Sequence, residues 1–198
     1  MKQPEGNFYN KYETKNPLAK ILMSNFTNSF FELINSITVK TIFEAGCGEG
    51  YMTNLLAEKT NASIIASDIS EKVINEARLR VIGIGAEFEI SSIYSIDHPD
   101  NAFDLVIACE VLEHLDNPLV ALKELKRVSD KYIIVSVPRE PIWRVLNIAR
   151  GKYIHDLGNT PGHIQHWSMR NFKKFIEAEL KIVSVKMPLP WTMFLCEK

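Results

Sequence analysis

The stretch Thr41–Thr53 reads TIFEAGCGEGYMT. A short apolar run ends in the acid Glu44, glycines follow at 46, 48 and 50, and a helical pattern begins behind them. Glycines so spaced let the backbone turn sharply and approach a ligand closely. The helix behind the turn points its first N–H groups at whatever sits there. The unit is strand, turn, helix, and the chain goes on repeating it.

Working outward, KTIFEA, ASIIASD, AEFEIS, FDLVIAC and KYIIVSVP read as apolar strands. YMTNLLAEKT, SEKVINEARLRVIG (with Ser70 as N-cap) and PLVALKELKRVS read as helices. Strands apolar on both sides, alternating with helices, predict an α/β fold with a doubly wound, mostly parallel sheet and helices on both faces. Upstream, Leu18, Ile21, Leu22, Phe26, Phe30, Leu33, Ile34 and Ile37 recur at a helical period, with Pro17 suited to the first turn. Downstream, MRNFKKFIEAEL is a late helix. KIVSVKMPLPWTMFLCEK then gives two strands broken by Pro188 and Pro190, a C-terminal antiparallel hairpin that completes seven strands. Residues 139–168 lack the strand–helix rhythm and carry three of the five histidines. Segments inserted beyond strand C-termini lie over the ligand crevice of open α/β sheets, so this one is a lid candidate. The chain divides as a single domain: arm and helix over 1–37, ligand-binding core over 38–137, lid over 138–168, and C-terminal helix and hairpin over 169–198.

With 198 residues, 46% hydrophobic and 24% charged, the chain is long enough for one sizeable core. Net charge is -1 without a long basic block, which argues against nucleic acid and acidic membranes as partners. Cys47, Cys109 and Cys196 are odd in number and form no C-x-x-C pair, so a disulfide framework or cysteine zinc site is not expected. With no signal-peptide core and no run of roughly 18 apolar residues, a cytoplasmic protein is expected.

The dinucleotide fingerprint is G-x-G-x-x-G, whereas this loop is G-x-G-x-G. Glu44 would repel a pyrophosphate but suits a cationic ligand. Asp68 ends the second strand, 22 residues after Gly46, where an acid binds both ribose hydroxyls. Acids and glycines together describe a site for a nucleoside without phosphates.

At this point the sequence resembles the class I S-adenosylmethionine-dependent methyltransferases, over about residues 38 to 137 and more vaguely in the tail. FEAGCGEG looks like the first motif of that family and SDIS like its acidic second motif. NAFDLVIACEVLEHLDNP is similar to the fourth-strand motif of the small-molecule (type 11, ubiquinone-biosynthesis-like) subgroup. The resemblance implies a Rossmann-like methyltransferase fold, S-adenosyl-L-methionine as cofactor, S-adenosyl-L-homocysteine as product and a small-molecule acceptor. By position, Glu44, Gly46, Cys47 and Gly48 would surround the methionine part, Asp68 would bind the ribose, and Ile69 would pack on adenine. The family's acid near the adenine amine is replaced by Ser91 and Ser92, with Ile93 following. Cys109 would lie near the cofactor, and aromatics such as Tyr9 and Tyr12 would fold over it from the arm or simply anchor the arm.

EVLEHL follows the fourth strand. As a helix it would align Glu110, Glu113 and His114 on one face. A similar Glu-x-x-Glu-His binds a divalent metal in some relatives, and His163, with His166 nearby, would add imidazoles. Capping and lid hydrogen bonds are the alternative reading, and the one preferred over metal. Without metal, His114 and His163 are the candidate bases. Arg139, Arg144, Arg150 and Lys152, interleaved with Trp143, Leu146, Ile148 and Tyr153, read either as a cover for an anionic or amphiphilic acceptor or as a solvated helix face. Trp191 reads as a core plug. Two other functions stay open: a non-catalytic adenosylmethionine-binding sensor or scaffold, and an NAD(P)-dependent oxidoreductase. The glycine spacing and the lack of Tyr-x-x-x-Lys count against the oxidoreductase. Oligomeric state is not legible.

Overall fold

The computed structural model describes residues 16–81, 83 and 85–198; Tyr9 and Tyr12 lie outside the described residues. Seven strands form one sheet: β1 (Thr41–Ala45), β2 (Ser63–Asp68), β3 (Ala86–Ile90), β4 (Phe103–Cys109), β5 (Ser129–Pro138), β6 (Lys181–Lys186) and β7 (Trp191–Glu197). Their order is β3-β2-β1-β4-β5-β7-β6. The first five are parallel, and β7 inserts antiparallel between β5 and β6, so the expected terminal hairpin closes one edge.

Both faces of the inner parallel strands β1 and β4 are buried, which is why they read as unbroken apolar runs, whereas the edge strand β3 (AEFEI) alternates and is only partly covered. Successive side chains of β4 go to opposite sides. Leu105 and Ile107 join Ile42, Ile64 and Ile134 beneath Phe26 and Phe30 of helix α1 (Pro17–Ile34). Val106 and Ala108 join Phe43, Ile133 and Val135 on the other face. There they meet Leu122 and Leu125 of α4 (Pro118–Val128) and Phe172 of α6 (Met169–Glu177). Each large side chain fully buried in this way stabilises the fold by about 1.5–3 kcal/mol.

Local chemistry fixes the helix starts. Asn16 Oδ1 accepts the Leu18 N–H at 2.9 Å and Pro17 occupies the first turn of α1. Ser70 Oγ accepts the Val73 N–H at 3.4 Å to cap α3 (Glu71–Arg80), as its position in the sequence predicts. The 139–168 segment is less irregular than its sequence reads. It holds α5 (Ile142–Ala149) and a 3-10 turn over Ile154–Asp156.

The strand order reverses between β1 and β4, so the crevice of this sheet opens at their C-terminal ends. Helix α2 (Tyr51–Lys59) starts there, behind the glycine turn. Among the described residues, no helix is long and apolar enough to cross a membrane.

Candidate functional site

The turn after β1 is tied to its neighbour strand by two backbone bonds. Gly46 N–H and Cys47 N–H both donate to the Ser67 carbonyl, at 2.8 and 2.9 Å. Gly46 is left-handed at φ +72, and a Cβ there would stand 2.5 Å from Val111 Cγ2. Only glycine fits both the dihedral and the approach. Asp68, at the end of β2, is held by the loop it faces: Gly48 N–H donates to Oδ2 at 3.2 Å and Ser70 N–H to Oδ1 at 3.0 Å. Burial raises its carboxyl above the usual carboxylate range, and those two N–H donors work in the opposite direction.

Glu44 is buried, with Thr53 Oγ1 donating to its Oε2 at 2.6 Å. Burial pushes its pKa up to about 7 against the pull of that one bond. The Cys47 thiol is pushed far up by burial and then by the neighbouring carboxylates Glu44 and Asp68, so it is not a nucleophile.

These groups line a cavity of about 170 Å³. Among the described residues, every one expected on the ligand side except His163 lines it: Glu44, Gly46, Cys47, Gly48, Asp68, Ile69, Ser92, Ile93, Cys109 and His114. Ser91 lines it too, and Ser92 Oγ accepts the Tyr94 N–H at 3.3 Å. Glu49, Met52, Tyr94 and Leu115 also line it; Glu49 and Leu115 sit inside the quoted motifs, but no reading of the sequence assigned a role to any of the four. The only available signal was position, next to a residue already singled out.

A second cavity, of about 290 Å³, adjoins the first through shared walls at Glu110 and His114. Its floor and sides come from α1 (Leu18, Leu22, Met23), from the 139–168 segment (Trp143, Leu146, Tyr153, His163) and from Trp191. Trp191 is a buried wall as well as a plug: it is 3% exposed and packs edge-on to Phe26 at 5.0 Å. The imidazole of His163 stacks on Trp143 at 5.7 Å and meets His114 edge-on at 4.8 Å. His114 Nδ1 lies 2.9 Å from the Gly162 carbonyl. A carbonyl only accepts, so in the neutral ring Nδ1 carries the hydrogen and Nε2 the lone pair. Ile164 N–H and Gln165 N–H both donate to the Glu113 carbonyl, at 2.9 and 3.0 Å, which fastens the 139–168 segment to the turn that carries His114.

The expected helical face of Glu110, Glu113 and His114 does not form. Glu110 is left-handed at φ +62, and a 3-10 turn covers only Leu112–His114. The Glu110 carboxylate swings toward β5 and β7, where Ser136 Oγ donates to Oε1 at 3.2 Å and Trp191 Nε1 to Oε2 at 2.6 Å. The chain must turn immediately after β4 to keep Glu110 N–H on the Ser136 carbonyl, and that turn is incompatible with an α-helix starting at 110. Glu113, His114 and His163 do come together, each offering one ligand atom, with all three atoms within 4.8 Å of one another. His166 is elsewhere, exposed and bonded to Asn159 Oδ1 at 2.8 Å. Of the four cations singled out in the 139–168 segment, Arg150 alone lines the second cavity among the described residues, while Arg144 pairs with Glu140 at 3.6 Å.

Comparison with known proteins agrees with this geometry. Residues 43–132 match the family model of a methyltransferase domain. The mitochondrial ubiquinone biosynthesis O-methyltransferase of Schizosaccharomyces pombe is 26% identical over 163 residues, 78% of this chain and 56% of that protein. Phosphoethanolamine N-methyltransferase 1 of Arabidopsis thaliana is 29% identical over 93 residues, 46% of this chain and 19% of that protein. The chain thus spans from about a fifth to about three fifths of the curated relatives it matches. The fold matches magnesium protoporphyrin IX methyltransferase from Synechocystis, solved with S-adenosylhomocysteine, at TM-score 0.70 and 18% identity, covering 93% of this chain and 89% of that one. A glycine turn facing an acid at the switch point, this strand order and these matches together support a class I S-adenosylmethionine-dependent methyltransferase, with residues 43–132 as its matched methyltransferase domain.

Proposed function

We propose that the protein transfers a methyl group from S-adenosylmethionine to a small-molecule acceptor bound in the second cavity. The observation that carries this reading is the junction: two cavities meet at Glu110 and His114, one lined by the glycine turn, Glu44 and Asp68 and the other largely apolar. The residues present fit the cofactor. Asp68 faces the site at a strand end suited to ribose hydroxyls. Glu44 is a buried carboxyl whose burial cost a ligand's ammonium group would offset. The close approach at Gly46 leaves backbone, not side chain, against the ligand. When bound, the cofactor supplies an electrophilic methyl on a sulfonium.

The chain's own residues do the rest. The second cavity orients the acceptor, which is where much of the acceleration of an in-line displacement arises. His114 Nε2 takes the acceptor's proton, its tautomer set by the Gly162 carbonyl. His163 buttresses that ring and the Trp143 wall. The 138–168 segment acts as the cover of the acceptor cavity. A cytoplasmic location accords with three free thiols.

The convergence of Glu113, His114 and His163 supports a second reading, a divalent metal held by one carboxylate and two imidazoles. Such an ion would lower the pKa of an acceptor hydroxyl. Metal content after dialysis, and activity with and without chelator, separate the two readings.

The test of the main reading is calorimetric titration with S-adenosylmethionine, S-adenosylhomocysteine and NAD+, repeated on Asp68→Ala. Micromolar binding of the first two, lost in the variant, is expected. Binding of NAD+ in their place would overturn the proposal.

A further inference from the structure

The second cavity distinguishes among acceptors by its charge and its walls. Among the described residues that line it, the acids are Glu110 and Glu113, and the sole Lys or Arg is Arg150. These charges differ in depth. Arg150 is exposed, with its guanidinium on Asn147 Oδ1, whereas Glu113 is 1% exposed and Glu110 stands at the junction with the first cavity. The carboxyl groups therefore lie inside and the guanidinium at the rim. The inner walls are Trp143 and Trp191, with ring centroids 5.8 Å apart and planes inclined at 57°. Both indole N–H groups are already engaged: Trp143 donates to Thr160 Oγ1 at 2.9 Å and Trp191 to Glu110 Oε2 at 2.6 Å. The rings are thereby fixed, and because the His163 imidazole covers one face of Trp143, what they can offer a ligand is the π-surface left open.

Two pinned indole rings beside two carboxylates make a seat for a cation. We propose that the acceptor is an amine, arriving as an ammonium ion, with an apolar or aromatic body that extends toward α1 and α5. This deepens the methyltransferase reading and rests on it. An ammonium nitrogen has no lone pair, so one proton must leave before transfer, and His114 Nε2 takes it. The neutral amine then uses its lone pair to form the N–C bond to the methyl carbon while the methyl–sulfur bond breaks, its electron pair going to sulfur. The products are a methylated ammonium and an uncharged thioether, and the imidazolium returns its proton to water. Charge is conserved: one cation enters transfer on sulfur and one leaves on nitrogen. A phenol or carboxylate acceptor would instead bring developing negative charge next to Glu110 and Glu113.

The test uses three compounds with one body: 2-phenylethylamine, 2-phenylethanol and phenylacetate. Each is titrated into the full-length protein in chelator-treated buffer, with and without saturating S-adenosylhomocysteine, followed by calorimetry. The amine is expected to bind about tenfold or more tightly than the alcohol, and phenylacetate most weakly. Glu113→Gln and Trp143→Leu should each erase most of that preference without changing S-adenosylhomocysteine affinity. An alcohol or phenylacetate that binds as tightly as the amine, or no binding by any of the three, overturns the proposal. If S-adenosylhomocysteine fails to bind while the amine preference persists, the methyltransferase reading falls and the cation seat stands.

Discussion

The two cavities that meet at His114 are built in opposite ways. The first is made of short pieces at strand ends: Glu44 and residues 46–49 at the end of β1, 67–69 at the end of β2, 91–94 beyond β3 and 109–111 at the end of β4. Its critical contacts are backbone bonds, such as Gly46 and Cys47 onto Ser67, which hold whatever the surface does. The second is assembled from α1, α5, the loop over 153–163 and the end of β7. Its critical contacts are side chain to side chain, with Trp143, Asn147 and Thr160 bonded among themselves. One half of the site is fixed by the fold and the other by packing choices laid on it, so variants should separate them.

The sharpest separation lies at the shared wall. His114→Gln is expected to lower kcat by roughly 10²- to 10⁴-fold, the usual worth of a positioned base, while S-adenosylhomocysteine affinity changes less than about twofold. An unchanged kcat would remove His114 from the chemistry and leave it as a wall.

Glu44 tests the first cavity alone. Burial raises its pKa from 4.5 to about 7 in the folded protein. Below pH 4.5 the carboxyl is protonated whether folded or not, and its contribution is intact. As pH climbs toward 7 the unfolded chain ionises first, and stability falls by up to roughly 3 kcal/mol. Urea unfolding at pH 5 and pH 8 should show this slope, and Glu44→Gln should flatten it. Binding of S-adenosylhomocysteine near pH 6.5 should expel a proton as its amino group pairs with Glu44, seen as a heat that tracks the ionisation enthalpy of the buffer. The second cavity's preference among amine, alcohol and acid should not move.

A smaller effect is expected at the turn itself. Gly46→Ala forces a side chain into a left-handed conformation and against Val111. A cost of about 2 kcal/mol in stability is expected, with cofactor affinity down about tenfold. Adding Val111→Ala should recover the part due to contact and leave the part due to φ, which divides the two causes in one thermal-melt series.

The same contrast explains how much of the molecule was legible in its sequence. The inner parallel strands announced themselves because both faces are buried, and the residues lining the first cavity did so because their placement follows from position along a strand–turn unit. Glu110 was misplaced for a physical reason: apolar and charged residues at i, i+3 and i+4 spacing imply a helix, but the backbone bond to Ser136 and the indole of Trp191 outbid it. The second cavity had no local signature at all. Leu22, Trp143, Thr160 and Trp191 are brought together only by the packing of α1 on β7 and of α5 over both, and no spacing encodes that. Helix α5 itself was hidden by its short length between Pro141 and Gly151.

The finest probe of the packed half is Thr160. Its Oγ1 accepts from both Trp143 Nε1, at 2.9 Å, and Asn147 Nδ2, at 3.2 Å, and both Thr160 and Asn147 are buried. Thr160→Val keeps the shape and removes the acceptor. The Asn147 amide retains the Gly158 carbonyl at 2.7 Å, so the indole N–H bears most of the loss. A penalty of about 1 kcal/mol in stability is expected, with the acceptor's KM raised about fivefold as the Trp143 wall loosens. Cofactor affinity should not change, because no bond of the first cavity passes through Thr160. Thr160→Ser, which restores the acceptor, should recover the KM. If Val and Ser behave alike, the wall is held by packing rather than by the hydroxyl, and the second cavity is more adaptable than its hydrogen bonds imply.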